Sequence, residues 1–557
     1  AKVLSIQPDL QWQIYYRVGM VEEAQGRVDS ARADYQRAIR IIDNMRGNLT
    51  VEEFKTLFAN TKVEVYDKLI QLLLKNRSRW VSQPIPVVEE AFYLAEQSRS
   101  RAFLDMMGNH RIDPKSGSDT VLLEREQQLR FKLQQVSKDL NSAIDSDLRY
   151  TLHQQLNTLQ DEHQQVSQRI KLNNPAYAGM VSIEPTRLSA LQEKMDAKSA
   201  VLEYWAGDDV LVIWVIKKKS IDAKTVDVSK KRLLREIQGC RNALNIQFSE
   251  LTHTTLTTLY KYLIQPILPE IKNVSKLTII PHASLHFLPF QALQADRAKF
   301  LIEDYVISYA PSASVLYSCM DKKPEKQHDV LGMAIGDQAI GDFAALPGTA
   351  SELRHLAKVN DKLTHQIGKA CTETYLKREV SKYGYIHLAT HGAMNTYQPL
   401  YTYLLMHPTE EDDGRLCVDE IFGMDIRGKL VTLSACETGL GELGEGDELV
   451  GLSRAFMYAG APAVMVTLWK VEDATTAWLM TRFYQYLNAG QPTAEALAFA
   501  QRDLIKGNFG TMGNVLRGSN QDIEFDKEIK DAMNKRKGAA SRVVYYWAPF
   551  VLLGSPQ

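Results

Sequence analysis

Six short stretches of the chain are apolar almost without interruption: LTII (277–280), VISYA (306–310), VLGMAI (330–335), YIHLAT (385–390), KLVTLSA (429–435) and AVMVTLW (463–469). Each is short and β-rich, which predicts buried strands. Between and after them, helical spacing predicts helices over 350–359, 374–382, 447–459, 473–488 and 493–506. Apolar strands alternating with helices imply a mostly parallel sheet covered on both faces. Upstream, AVLEYW (200–205) and VLVIWVI (210–216) flank Gly207-Asp208-Asp209, a hairpin signal, and a helical stretch covers about 231–270. YYWAPFVLLG (545–554) adds one more strand.

The first third has a different period. In residues 12–45, Tyr15, Val18 and Gly19, then Gly26, Ala31, Tyr35 and Ala38, fall at the offsets of a tetratricopeptide repeat. Small Gly19 and Ala31 let two helices approach, with Tyr15 and Tyr35 filling the space around them. Tyr66, Leu69 and Ile70 begin a weaker second copy, completed by residues 89–107 after a loop through Pro84 and Pro86. Such repeats bury their faces on neighbours, so two hairpins imply more repeats upstream; a generic helical domain is the alternative. Residues 121–172 hold neither Gly nor Pro, and two amphipathic stretches meeting near Asn141–Asp147 predict an antiparallel helical hairpin. The expected domains are therefore 1–120 helical repeats, 121–172 hairpin, and 180–557 α/β domain, the last divided at 275/276.

Composition narrows the function. The 557 residues are 45% apolar and 24% charged, with a formal net charge of −1. That balance carries no footprint for nucleic acid, and the Lys217-Lys218-Lys219 and Lys230-Lys231 clusters read as solvated surface. Five dispersed cysteines (Cys240, Cys319, Cys371, Cys417, Cys436) form no C-x-x-C. This argues against a disulfide framework and a cysteine zinc site and for a reducing, cytoplasmic setting. No run of 18 apolar residues predicts a membrane span. The chain opens Ala-Lys-Val-Leu inside a helical pattern, so its natural start is expected upstream.

The chemistry concentrates in VTLSACETGLGELGEGDE (431–448). Gly439-Leu440-Gly441-Glu442-Leu443-Gly444 fits G-x-G-x-x-G, but Glu442, Glu445, Asp447 and Glu448 would repel a diphosphate. Cys436 follows one strand and His391 follows another, and functional groups of open α/β sheets gather at strand carboxyl ends. If those strands are neighbours, the pair suffices for acyl transfer: His391 takes the thiol proton and Cys436 attacks a carbonyl. The main-chain N–H groups of Gly392 and Cys436 could serve as oxyanion donors. His387 and His391 have H-x-x-x-H spacing, but on a strand they lie roughly 13 Å apart, too far to share a metal. Gly451–Ala455 has G-x-S-x-G spacing within a predicted helix, not at a nucleophile elbow. His286 is a possible supporting group and Cys417 reads as packing. No cofactor or metal is expected.

YIHLATHGAMN, then LVTLSACETGLGELGEGDELVGLSRAFMYAGAPAVMVTLWKVED, then YYWAPFVLLG closely resemble the CHAT domain of caspase-like cysteine peptidases associated with tetratricopeptide repeats. SKLTIIPHASLHFLPFQAL, YVISYAPSASVLY and ALPGTASEL resemble that family's upstream segments. The resemblance implies a caspase–hemoglobinase α/β fold with His391 as general base, Cys436 as nucleophile, and Gly392 and Cys436 as oxyanion donors. It implies a regulated endopeptidase acting on a protein substrate. The helical half would recruit an activator, which in some relatives is a bacterial-defence trigger such as an RNA-guided CRISPR effector. In the wider clan the residue two before the cysteine lines the substrate pocket. Small, neutral Ser434 there implies a neutral or apolar substrate residue; the acidic 442–448 loop reads first as a solvated loop, and as part of the cleft it would instead favour a basic one. Glu437 and Asp447 join Ser434 as expected pocket residues. The rival from another class is a non-catalytic scaffold for protein interaction.

Overall fold

The computed structural model describes residues 8–47, 63–81, 85–107, 187–246, 249–322, 329–341, 343–393, 402–434, 447–469, 473–507 and 543–557, and nine single positions between 125 and 166. The chain divides into two compact units, 1–186 and 187–557.

In the first unit, helices α1 (Pro8–Ala24) and α2 (Val28–Gly47) form one antiparallel pair, followed by α3 (Val63–Lys75) and α4 (Val87–Met107). Gly19 permits the first crossing: a Cβ there would lie 2.7 Å from the Tyr35 ring. Ala31, Tyr35 and Ala38 are fully buried on the facing helix. Tyr16, rather than the expected Tyr15, packs against Tyr35, with ring centroids 6.0 Å apart. Helical phase explains the exchange, because Trp12, Tyr16 and Gly19 share one face at i, i+4 and i+7, and Val18 lies outside that face, exposed. The second pair is tied on by Arg32–Glu90 at 2.6 Å and by Tyr66 donating to Asp43 at 2.8 Å. Most of the expected 121–172 hairpin lies outside the described residues, although Arg125 of its first stretch pairs with Glu162 of its second.

The second unit is built on one mixed sheet of eleven strands. These are β1 (Ser199–Ala206), β2 (Leu211–Lys217), β3 (Ser220–Val226), β4 (Lys276–Ile280), β5 (Val306–Tyr309), β6 (Val330–Ala334), β7 (Leu363–Ile367), β8 (Tyr385–Ala389), β12 (Leu430–Leu433), β13 (Ala463–Thr467) and β14 (Phe550–Gly554). A separate three-stranded sheet holds β9 (Gly392–Ala393), β10 (Tyr403–Leu405) and β11 (Arg415–Cys417). The large sheet runs β3-β2-β1-β4-β5-β14-β13-β12-β8-β6-β7. Its pairings are parallel except β1–β2, β2–β3 and β13–β14. All six apolar runs are strands of this sheet, and the C-terminal run is its sixth strand in spatial order. Polar, half-exposed β3 is an edge, the position where charge discourages further pairing.

Helices cover the sheet: α5 (Lys230–Asn245), α6 (Ser249–Leu263), α7 (Ala313–Asp321), α8 (Pro347–Val359), α9 (Glu373–Glu379), α10 (Val418–Phe422), α11 (Asp447–Tyr458), α12 (Asp473–Asn488) and α13 (Thr493–Ile505). The expected 231–270 stretch is divided between α5 and α6. Gly332 of β6 sets the approach of α8, since a Cβ there would lie 2.8 Å from a Leu353 methyl. Among the described residues, no helix is long and apolar enough to cross a membrane.

Candidate functional site

β8 and β12 are adjacent and parallel, in the register Leu430↔Tyr385 through Leu433↔Leu388. Ser434 extends the pairing by one bond, its N–H donating to the Leu388 carbonyl at 2.8 Å. The condition set by the sequence is therefore met: the two strands are neighbours and point the same way. His391 lies three residues beyond Leu388, and Cys436 lies three residues beyond Leu433. Cys436 and Glu437 fall outside the described residues.

His391 is held from two sides. Its Nε2 is 2.7 Å from the Ala344 carbonyl oxygen. A carbonyl can only accept, so Nε2 carries the proton and Nδ1 is the nitrogen left to take one. Phe343 packs on the imidazole, with centroids 5.4 Å apart, and meets Tyr403 edge-on at 6.5 Å. The small sheet fixes the main chain: Leu405 N–H donates to the His391 carbonyl at 2.9 Å. That bond makes Gly392↔Leu404 a non-hydrogen-bonded pair, so the Gly392 N–H points away from β10.

Beneath these strand ends lies a buried polar group that the sequence reading missed. His387 of β8 is fully buried, paired with Thr432 on one side and Gly332 on the other. Its Nε2 is 3.0 Å from Glu352 Oε1, close in distance although outside hydrogen-bond alignment. Its Nδ1 is 3.4 Å from the Tyr484 hydroxyl. Burial, with the Glu352 carboxylate adding to it against the Thr432 hydroxyl, pushes Tyr484 well above the usual phenol range, so it stays protonated. Ser434 Oγ donates to Glu352 Oε2 at 3.1 Å. Ser434 is thus buried, with its hydroxyl turned inward to a carboxylate. The signal available in the sequence was a charged residue, Glu352, set among Ala350, Leu353 and Leu356 on the apolar face of a helix.

The remaining candidates are dispersed. His387 and His391 belong to a strand and its exit, as the spacing argument required. Ser453 lies within α11, away from any strand-to-helix elbow. Asp447 opens that helix. His286 lies in a 3-10 turn after β4, with four strands between β4 and β8. Cys417 caps α10, its N–H donating to Glu420 at 3.0 Å. The four described cysteines are free thiols. Among the described residues, Glu373, Asp412 and Glu420 bring three carboxylates together. The Lys377 ammonium sits among them at 3.0, 2.8 and 2.9 Å.

The model of the CHAT domain family matches residues 253–555. The chain belongs to the CHAT domain family. In this CHAT protein the match takes in β4 to β14, and with them His391, Ser434 and Cys436. No curated protein matches the chain. Two crystal structures of the Saccharomyces cerevisiae separase–securin complex are similar at TM-scores of 0.42 and 0.41, with 9% and 10% identity, covering 99% of the CHAT protein and 47% of each matched chain. The CHAT protein thus spans about half the length of those chains, and a likeness of that size decides nothing about its chemistry.

Proposed function

We propose that this chain is a cysteine endopeptidase of caspase-like design, with Cys436 as nucleophile and His391 as general base. The observation that carries the reading is the parallel β8–β12 pairing in register up to Leu433↔Leu388, with the two candidates each three residues further on. Two further observations support it. The Ala344 carbonyl leaves Nδ1 of His391 as the proton acceptor. The Gly392 N–H is turned away from β10, where a developing oxyanion could receive it.

In the mechanism, Nδ1 takes the Cys436 thiol proton and the thiolate attacks the scissile carbonyl. The Gly392 and Cys436 N–H groups stabilise the tetrahedral oxyanion. The imidazolium returns the proton to the departing amine. His391 then activates a water that hydrolyses the thioester and frees the acid. The helical unit before residue 187, read as tetratricopeptide-type pairs, would recruit a protein activator, with a defence complex as one candidate partner.

The test is to map new protein N-termini in a host-cell lysate after incubation with wild type and with Cys436→Ala. Cuts made only by wild type support the peptidase and read out its specificity. A cellular effect that survives Cys436→Ala overturns it in favour of a scaffold.

A further inference from the structure

Ser434 is the last described residue before the segment that carries Cys436, and it is anchored twice. Its N–H donates to Leu388 of β8 and its hydroxyl donates to Glu352 of α8. Glu352 is 3% exposed, a position where carboxylates are rare unless they have a defined partner. Its second oxygen faces buried His387. His387 in turn faces Tyr484 of α12. One carboxylate therefore joins the helix above β6, the strand that leads to His391 and the strand that leads to Cys436. Burying such a group costs more than an apolar side chain of similar volume would, so stability alone is a poor reason for it.

We infer that Glu352 is a positioning residue: through the Ser434 hydroxyl it holds the end of β12, two residues before Cys436, and so tunes the reactivity of that thiol. This rests on the proposed peptidase reading, in which Cys436 is the nucleophile. Glu352 touches no substrate here and acts only through Ser434. The inference gives Ser434 an inward-facing function in place of the pocket-lining role that clan resemblance suggests.

The test reads the thiol itself. The full chain is treated with iodoacetamide across a pH series, and alkylation of the Cys436 peptide is timed by mass spectrometry for wild type, Ser434→Ala, Glu352→Gln and the double variant. In wild type, Cys436 should reach half-maximal reactivity below the ordinary thiol range of about 8.5. Ser434→Ala and Glu352→Gln should each move that midpoint upward and slow alkylation at neutral pH by about tenfold. The double variant should be no slower than either single one, because both act through one hydrogen bond. A merely structural role would lower Tm and leave the midpoint in place. If Glu352→Gln does not fold, Ser434→Ala decides alone. A wild-type midpoint below the ordinary range with variants equal to it would overturn the inference and leave the peptidase standing. A wild-type Cys436 that titrates like an ordinary thiol would overturn the peptidase reading, and the inference with it.

Discussion

The His391 imidazole is fixed by the main-chain carbonyl of Ala344, 2.7 Å from Nε2. A main-chain acceptor cannot be removed by changing a side chain, so the tautomer survives substitution at 344. Ala344→Ser should therefore leave the rate of substrate cleavage within about twofold of wild type, whereas His391→Ala should lower kcat by roughly 10²–10⁴.

Phe343 sets the plane of that ring from the loop after β6. Phe343→Ala should free the imidazole to rotate about its remaining bond. The expected result is a fall in kcat of about tenfold with KM nearly unchanged, because orientation is lost and binding is not. Steady-state kinetics on a cleaved peptide checks it.

Lys377 is an ammonium among three carboxylates, two of which come from the loop after β10 and from α10. Burial opposes its charge, but the hydrogen bonds it donates to Asp412, Glu420 and Glu373 more than offset that and raise its pKa. Lys377→Met should destabilise by roughly 2–4 kcal/mol, below the figure for a fully buried pair because the lysine is partly exposed. Glu373, already held above the usual carboxylate range chiefly by burial, should then take up a proton more readily. The variant's deficit should thus shrink as pH is lowered from about 7 to 5, measured by urea unfolding.

Three thiols should be inert in the folded protein. Burial pushes Cys240 and Cys371 up to about 12 and Cys319 up to about 11. At pH 8 iodoacetamide should leave these three unlabelled until urea is added. Their folded values exceed the ordinary one of about 8.5, so on alkalinisation the unfolded chain loses these protons first. Stability should therefore decline as pH rises above about 8.5, with a lower urea midpoint at pH 10 than at pH 8.

Gly19→Ala tests the crossing of α1 and α2. The added carbon would meet a ring that is fully buried and whose hydroxyl is bonded to Glu23 at 2.8 Å. The ring cannot withdraw, and a loss of about 1–3 kcal/mol is expected in the unfolding of the helical unit, followed by circular dichroism.

The six apolar runs were legible because each strand is buried on both faces, and unbroken hydrophobicity is what burial on both faces demands. The helices 473–488 and 493–505 were equally plain from their period. β3 and β7 were missed: both lie at the ends of the sheet, where half-exposed polar residues such as Lys224 and Thr364 give no continuous apolar signal. β9 to β11 were missed because two- and three-residue strands are specified by pairing, which no local pattern records. The positions of His391 and Gly392 at a strand exit could be read from the chain. The Glu352–Ser434 bond could not, since its partners are 82 residues apart and meet only when α8 settles over β6.

β14 lies in the middle of the sheet, between β5 and β13. Residues 199–467 can lay down ten strands, yet until residues 550–554 arrive β5 and β13 are open apolar edges with no partner between them. Order of synthesis thus runs against order of assembly: of these eleven strands, the last to be made is the one that joins the two halves. A chain cut short between β13 and Phe550 would carry both strand ends that lead to His391 and Cys436 on a sheet split down its centre. Such a fragment would offer two sticky edges to its neighbours, so a premature stop is expected to yield aggregates in place of a folded, shortened protein.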